Sequence, residues 1–119
     1  MVKKSKNKIL WRKALKIIPS GNSFLSKNPV RFKSDKWPIY FSKAKGSAVW
    51  DLDGKKYHDF SLMGVGTNIL GYSNKKVDQA VSKKIKNGNM TTLNCPEEVI
   101  FSDMLLKIHP WAQMAKFAK

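Results

Sequence analysis

The pair Asp53-Gly54 lies between two runs of strand-forming residues and constrains the fold more than any other feature of the sequence. The runs are residues 48–51 and residues 55–60. Glycine adopts a positive φ at no steric cost, as a tight connection between two strands requires. Residues 39–44 form a further possible strand before this pair. The sequence therefore predicts a β-hairpin preceded by one more strand.

Three helices are predicted around the hairpin from the spacing of apolar residues. In residues 9–18, 75–87 and 96–109, apolar side chains recur every three or four positions. Residues 20–38 contain two prolines and are predicted to form an extended loop. Residues 114–119 are predicted to begin another strand. These elements place the chain in the α/β class.

The sequence contains no motif typical of a catalytic site or of a metal site. Asp51 and Asp53 lack the ligand series of a cation site, so we assign them to the turn. His58 and His109 have no partner at metal-ligand spacing. Cys95 is the single cysteine, which excludes a disulfide scaffold, and no base can be assigned to its thiol. We therefore predict no metal site and no catalytic residue in this chain.

Basic residues outnumber acidic ones by 23 to 8, which gives a formal net charge of +15. Such a charge is typical of proteins that bind nucleic acid or an anionic membrane surface. However, all but two of the basic residues are lysines, whereas sequence-specific nucleic-acid readers depend on arginine for bidentate contacts. The excess is also scattered, apart from a dense cluster in residues 1–8. We interpret the lysines as a solvated surface, with a small basic nucleic-acid-binding protein as the alternative.

The sequence also indicates a compartment. No apolar run approaches the roughly 20 residues of a membrane-spanning helix, and no secretory signal follows the basic start. With one cysteine and no signal, a reducing cytoplasm is predicted. Residues 3–18 could form a basic helix on a membrane surface, but their apolar stretch is short. We favour packing of that helix on a larger body.

Residues 61–72 are rich in glycine. Gly64, Gly66 and Gly71 leave backbone exposed and allow close approach of a ligand or of another chain segment. Their spacing is not that of the dinucleotide-binding fingerprint. The pattern on its own assigns no ligand.

The most family-specific segment is KGSAVWDLDGKKYHDF, residues 45–60. Supporting motifs are IIPSGN at 17–22, PVRF at 29–32, ILGY at 69–72, NG at 87–88, PEE at 96–98 and HP at 109–110. In this order the motifs resemble the amino-terminal region of class III pyridoxal-phosphate-dependent aminotransferases, in particular the glutamate-1-semialdehyde aminomutases and their aminotransferase relatives.

The resemblance implies the amino-terminal part of a fold type I transferase, in which a large α/β domain binds the cofactor. Residues 1–8 would be a basic disordered start, residues 9–60 the first helix and the small-domain strands, and residues 61–119 the truncated start of the large domain. The phosphate-binding turn and the Schiff-base lysine of the family lie beyond the matched motifs. The resemblance thus implies that the intact enzyme binds pyridoxal 5'-phosphate and forms a homodimer, and that this chain alone is inactive.

The resemblance also implies four substrate-binding residues. Arg31 falls in a Pro-x-Arg motif that contacts the substrate carboxylate, a role that a guanidinium suits. Ser61, Gly64 and Val65 fall in the segment that lines the substrate entrance. Tyr72 stands where the family has a histidine. The substrate therefore stays open between glutamate semialdehyde and another small amino acid or amino aldehyde.

Overall fold

The computed structural model describes residues 4–89 and 91–118. The chain divides into two compact units, one that ends at Val81 and one that begins at Ser82. Each unit is described by itself below. The domain boundary expected between residues 60 and 61 concerns a larger enzyme and stays a prediction.

The first helix, α1, spans Lys6–Ile17. It begins three residues before the predicted start because Ser5 caps it, with the Ser5 Oγ accepting the Lys8 N–H at 3.4 Å. Residues 6–8 therefore belong to the helix and not to a disordered start. The first three residues of that predicted start lie outside the described part of the chain.

The segment after α1 is not the continuous extended loop that was predicted. It contains three short 3-10 turns, at Pro19–Gly21, Leu25–Lys27 and Pro29–Phe32. Two of them begin with proline, whose fixed φ and missing N–H suit the first position of a helical turn. The Asn28 side chain caps the third turn by accepting the Val30 N–H at 3.0 Å.

Three antiparallel strands follow, in the spatial order β1-β2-β3. They are β1 (Phe41–Lys45), β2 (Ala48–Asp51) and β3 (Lys56–His58). The hairpin predicted at Asp53-Gly54 is confirmed, since that turn joins β2 to β3 with Val49 opposite Tyr57. The earlier possible strand is confirmed as β1, which pairs with β2.

The described residues enclose little apolar volume. Ala14, Pro29 and Ala48 are the buried apolar side chains, and no large side chain is fully buried in this part of the chain. Asn7 and Asp51 are buried as well, and both are hydrogen-bonded. The first unit is therefore held together largely by a polar network around α1 and the hairpin.

Helix α2 (Lys75–Lys86) crosses the division between the units, and helix α3 (Pro96–Ile108) lies in the second. Both agree with the sequence prediction. The strand predicted from residue 114 is wrong for residues 114–118, which form no strand, since the described part of this unit offers no neighbouring strand for pairing. The Phe117 ring instead stacks on Phe101, with 5.2 Å between ring centroids. Within the described residues no helix has the length and apolarity needed to cross a bilayer.

Candidate substrate-entrance loop

The glycine-rich loop, defined here as residues 60–71, is closed at its base by a hydrogen bond between side chains. The Tyr72 hydroxyl donates to Asp59 Oδ2 at 2.6 Å. Tyr72 and Gly46 exchange two backbone hydrogen bonds of 2.9 Å, and the Asp59 N–H donates to the Ser47 carbonyl at 2.8 Å. Both ends of the loop are thereby attached to the turn between β1 and β2.

The hydrogen bonds at the base of the loop determine the charge states of Asp59 and Tyr72. Asp59 Oδ1 accepts the Ser61 hydroxyl at 2.6 Å and the Ser61 N–H at 2.8 Å. These bonds, with the one from Tyr72, lower the pKa of Asp59 below its ordinary value. The bond to Asp59 in turn raises the pKa of Tyr72, and burial adds to that rise. At neutral pH the pair is thus a carboxylate acceptor and a phenol donor.

The middle of the loop has an unusual backbone. Met63, Gly64, Val65 and Gly66 all have positive φ, of 43°, 80°, 59° and 79°. For a β-branched residue such as Val65 this conformation is strained, at a cost of about 1–3 kcal/mol. Within the described residues the N–H groups of Gly64 and Val65 donate no hydrogen bond, while the Gly64 carbonyl accepts the Thr67 hydroxyl at 2.7 Å. Two predicted site residues therefore present unbonded backbone donors.

Gly71, at the end of the loop, packs directly on backbone. A Cβ added to Gly71 would lie 3.1 Å from Gly46 Cα and 3.2 Å from the Gly46 carbonyl oxygen. Its φ of +84° also disfavours any other residue. The glycine allows the loop to return to the sheet at this point.

Five apolar side chains of the loop face solvent, whereas Met63 is half-buried. Their exposed fractions run from 68% to 97%, for Phe60, Leu62, Val65, Ile69 and Leu70. Such a concentration of exposed apolar residues marks an interaction or ligand surface more often than a free one.

The fourth predicted residue, Arg31, lies on the 3-10 turn Pro29–Phe32 and is exposed. In the described part of the chain it forms no ion pair. No hydrogen bond there joins it to Ser61, Gly64 or Val65. The structure places Arg31 and the loop in the same unit with no hydrogen bond between Arg31 and those three residues.

A broad cleft lies elsewhere in the first unit. It measures about 720 Å³ and is bordered by the start of α1, by residues 29–39 and by the turn between β2 and β3. None of the four predicted substrate residues lines it. Its cations and aromatic rings include Lys8, Arg12, Lys33, Lys36, Lys55, Trp11 and Trp37.

Two carboxylates of this cleft are occupied with structural hydrogen bonds. Asp53 accepts the Ser5 hydroxyl at 2.5 Å, the Lys6 N–H at 2.7 Å and the Asn7 amide at 3.1 Å. The bond from Ser5 comes first among the causes that lower the pKa of Asp53 to about 2. Asp51 accepts the N–H groups of Asp53 and Lys55 at 2.9 Å each. The turn role predicted for both residues is confirmed.

That this chain holds no residue of a pyridoxal phosphate site stays a prediction. A lysine that forms a Schiff base must be able to lose its proton, which burial favours. Every described lysine except Lys84 is exposed, and Lys84 is paired with Glu97 at 2.7 Å. In residues 4–89 and 91–118 no group of three or more His, Cys, Asp or Glu side chains forms a candidate metal site.

The Asp59–Tyr72 pair was missed from the sequence. The signal for it was Tyr72 itself, which departs from the family's histidine, but nothing in the sequence links that tyrosine to Asp59. The link depends on the pairing of Gly46 with Tyr72 across the turn.

Comparison with known proteins identifies the fold. Glutamate-1-semialdehyde 2,1-aminomutase of Aquifex aeolicus is 36% identical over 114 residues, covering 94% of this chain and 26% of its own length. 3-Aminobutyryl-CoA aminotransferase of Cloacimonas acidaminovorans is 31% identical, covering 99% of this chain and 28% of its own. The FumI protein of Sphingopyxis sp. MTA144, solved in its PLP internal aldimine form, superposes with a TM-score of 0.81 at 26% identity. Over nearly its whole length the chain is similar to one section of these pyridoxal-phosphate-dependent aminotransferases and aminomutases.

No protein-family profile matches the sequence. The chain spans about a quarter of the length of the curated relatives that it matches. The FumI superposition covers 95% of this chain and 27% of that protein. A quarter of an aminotransferase fold is thus present, which agrees with the amino-terminal section that the sequence resemblance implies.

Proposed function

We propose that this chain is the amino-terminal section of a pyridoxal-phosphate-dependent aminotransferase or 2,1-aminomutase that acts on a small amino acid or amino aldehyde. The observation that carries the proposal is the match of nearly the whole chain to one quarter of such enzymes. The intact enzyme binds the cofactor, as the names of the solved neighbours favour. By itself the chain is inactive.

In the intact enzyme, this amino-terminal section contributes residues that contact the substrate. Arg31 offers a guanidinium that no carboxylate of the described residues engages, and so it can pair with the carboxylate of a substrate. Gly64 and Val65 offer backbone N–H groups, and Ser61 holds the start of the loop on Asp59. These roles follow from the resemblance and are supported by the exposure of the four residues.

The intact enzyme is proposed to be a cytoplasmic homodimer. The exposed thiol of Cys95 is compatible with a reducing compartment. The relatives and structural neighbours, which are transaminases and aminomutases, favour this proposal over a nucleic-acid-binding protein.

A chimaera tests the proposal. In the Aquifex chimaera, this chain replaces the matched 114-residue segment of the Aquifex aeolicus aminomutase within one polypeptide. We expect a soluble protein with the visible absorbance of bound cofactor and with amino-group transfer from at least one amino donor. A matched graft takes the corresponding segment from the Cloacimonas acidaminovorans aminotransferase.

The outcome that contradicts the proposal is specific. If the matched graft binds cofactor and the Aquifex chimaera is soluble without doing so, this chain does not have the proposed role. Arg31→Lys in the Aquifex chimaera is expected to raise KM for the amino substrate with little change in kcat, because lysine keeps the charge but loses the bidentate geometry.

A further inference from the structure

Five cations line the broad cleft of the first unit, and four of them have no charged or aromatic partner within the described residues. The two ion pairs found in residues 4–89 and 91–118 involve only α2 and α3. Lys55 lies over the Tyr57 ring, with 5.1 Å between its Nζ and the ring centroid. The charge that remains available to a ligand is that of Lys8, Arg12, Lys33 and Lys36.

The carboxylates of the cleft do not neutralise these cations. Three carboxylates, those of Asp35, Asp51 and Asp53, line the cleft against its five cations. Asp51 is 6% exposed and accepts the Tyr57 hydroxyl at 3.1 Å in addition to the two N–H groups of its turn. Asp53 accepts hydrogen bonds from donors at the start of α1. The cleft is therefore positively charged as a whole and suits an anion.

Aromatic rings lie beside the cations. Trp11, Trp37 and Tyr57 line the cleft. Trp37 stacks on Phe32 with 3.7 Å between ring centroids and 8° between ring planes. Phe32 does not line the cleft, and Trp37 is 41% exposed. The stack holds the indole ring and leaves part of its surface open to a second planar ring.

The cations lie on two borders of the cleft. Lys8 and Arg12 belong to α1, and Lys33 and Lys36 belong to residues 29–39. Such an arrangement suits several phosphate groups better than one carboxylate, because each cation forms its own charge-assisted hydrogen bond to phosphate. The volume of about 720 Å³ is in the range of clefts that bind small molecules.

We propose that this cleft binds a nucleotide, a small molecule in which phosphate groups and a planar base are joined. Arg12 and Lys36 bind the phosphates, and Trp37 stacks on the base. The proposal is independent of the proposed function, because the four predicted substrate residues do not line the cleft.

Calorimetric titration of the Aquifex chimaera with ATP tests the proposal. The chimaera is first loaded with pyridoxal phosphate and freed of the excess, so that the host's own phosphate-binding groups are filled. We expect binding at low ionic strength that weakens as salt is added, because the four cations are exposed to solvent. Adenosine, which lacks phosphate, and tripolyphosphate, which lacks the base, should each bind at least about fivefold more weakly than ATP.

Two pairs of substitutions separate the cleft from the overall charge. Arg12→Gln with Lys36→Gln removes two proposed phosphate contacts and should weaken ATP binding by about tenfold or more. The matched control is Lys13→Gln with Lys16→Gln, which removes the same charge from exposed positions of α1 that do not line the cleft. It should weaken binding by about twofold or less, because solvent and salt screen distant charges.

A third variant isolates the base. Trp37→Leu should weaken ATP binding by about fivefold or more, because a stacked aromatic ring is lost. Binding of tripolyphosphate should stay unchanged, which also shows that the cleft of this variant is intact.

The absence of ATP binding at low ionic strength would overturn the proposal. Equal weakening by the two pairs of glutamine substitutions would do the same, since it would assign the binding to overall charge. Tripolyphosphate that binds as tightly as ATP, or a Trp37→Leu variant that affects both ligands equally, would exclude a site for the base. An oligonucleotide that binds far more tightly than ATP would assign the cleft to single-stranded nucleic acid instead.

The outcome for the proposed function is measured separately, by the absorbance of bound cofactor. A chimaera that binds ATP through Arg12 and Lys36 but binds no cofactor, beside a matched graft that does, would remove the proposed function alone. A chimaera that binds the cofactor but not ATP would remove the nucleotide site alone. If the chimaera is insoluble, the same titrations are made on the 119-residue chain, and the same results decide.

Discussion

The Tyr72 hydroxyl lies 2.6 Å from Asp59 Oδ2, thirteen residues back along the chain, and this bond closes the glycine-rich loop. Tyr72→Phe in the Aquifex chimaera removes the donor and leaves a carboxylate oxygen without its partner. We expect the opening of the loop to become easier by about 1 kcal/mol, or about fivefold faster hydrogen exchange in residues 60–72. Exchange followed by mass spectrometry measures this directly.

Tyr40→Phe is the matched control. The Tyr40 hydroxyl is buried and has no hydrogen-bond partner in the described residues, and burial raises its pKa. Its removal is expected to leave exchange of the loop unchanged and to be neutral or slightly stabilising. Equal effects of the two substitutions would show that the Tyr72–Asp59 bond does not restrain the loop.

Gly71→Ala is expected to detach the end of the loop from the sheet. The new Cβ would lie 3.1 Å from Gly46 Cα, so the paired backbone of Gly46 and Tyr72 must separate. Gly54→Ala has nearly the same φ, +85° against +84°, but meets no atom within 4 Å. In both variants the positive φ costs about 1 kcal/mol of stability. Gly71→Ala should therefore lower the thermal stability of the Aquifex chimaera more than Gly54→Ala does.

Asp53→Asn should loosen the first turn of α1, because the carboxylate accepts hydrogen bonds from Ser5, Lys6 and Asn7. The folded-state pKa of about 2 lies below the ordinary value of 3.8. The stabilisation is therefore complete above 3.8 and is lost as the pH falls toward 2. Hydrogen exchange of the α1 amides should be faster in the Aquifex chimaera that carries Asp53→Asn than in the unchanged chimaera. The ratio of the two exchange rates should be the same at about pH 5 and about pH 7.

Asp35→Asn controls for the loss of a charge beside the same cleft. Asp35 lines that cleft and accepts no hydrogen bond in the described residues. The Asp35→Asn substitution should leave hydrogen exchange of the α1 amides unchanged. A ratio for Asp53→Asn that stays unchanged between about pH 5 and about pH 2 would show that its pKa is not depressed.

The isolated chain is expected to be inactive and loosely packed. No large side chain is fully buried in the described residues, so a cooperative thermal transition has little apolar burial to drive it. We expect no absorbance of bound cofactor, no turnover with an amino donor and strong binding of a hydrophobic dye. A cofactor band with turnover from the purified chain would contradict this.

The elements that follow from local chemistry were predictable. Local signals of a few residues predicted three elements that the structure contains. These signals are the Asp53-Gly54 turn, the apolar period of α2 and Pro96 at the start of α3. The start of α1 was placed too late because its cap includes a carboxylate 47 residues away from Lys6. No local pattern contains that contact.

The candidate site was predictable only in part. Arg31, Ser61, Gly64 and Val65 came from the resemblance, whereas the bond between Asp59 and Tyr72 depends on sheet pairing that periodicity does not encode. The strand expected from residue 114 failed for a related reason. A strand needs a neighbour for its backbone groups, and sequence shows the propensity without showing the neighbour.

The capping of α1 by Asp53 also sets an order of assembly. Asp53 comes within reach of Lys6 only after the chain between them has looped back, and its position is fixed by the turn between β2 and β3. Local turns close far more readily than loops of this length. The hairpin is therefore the template on which the first helix completes its amino-terminal turn, and a ribosome must release the second and third strands before that turn is secured.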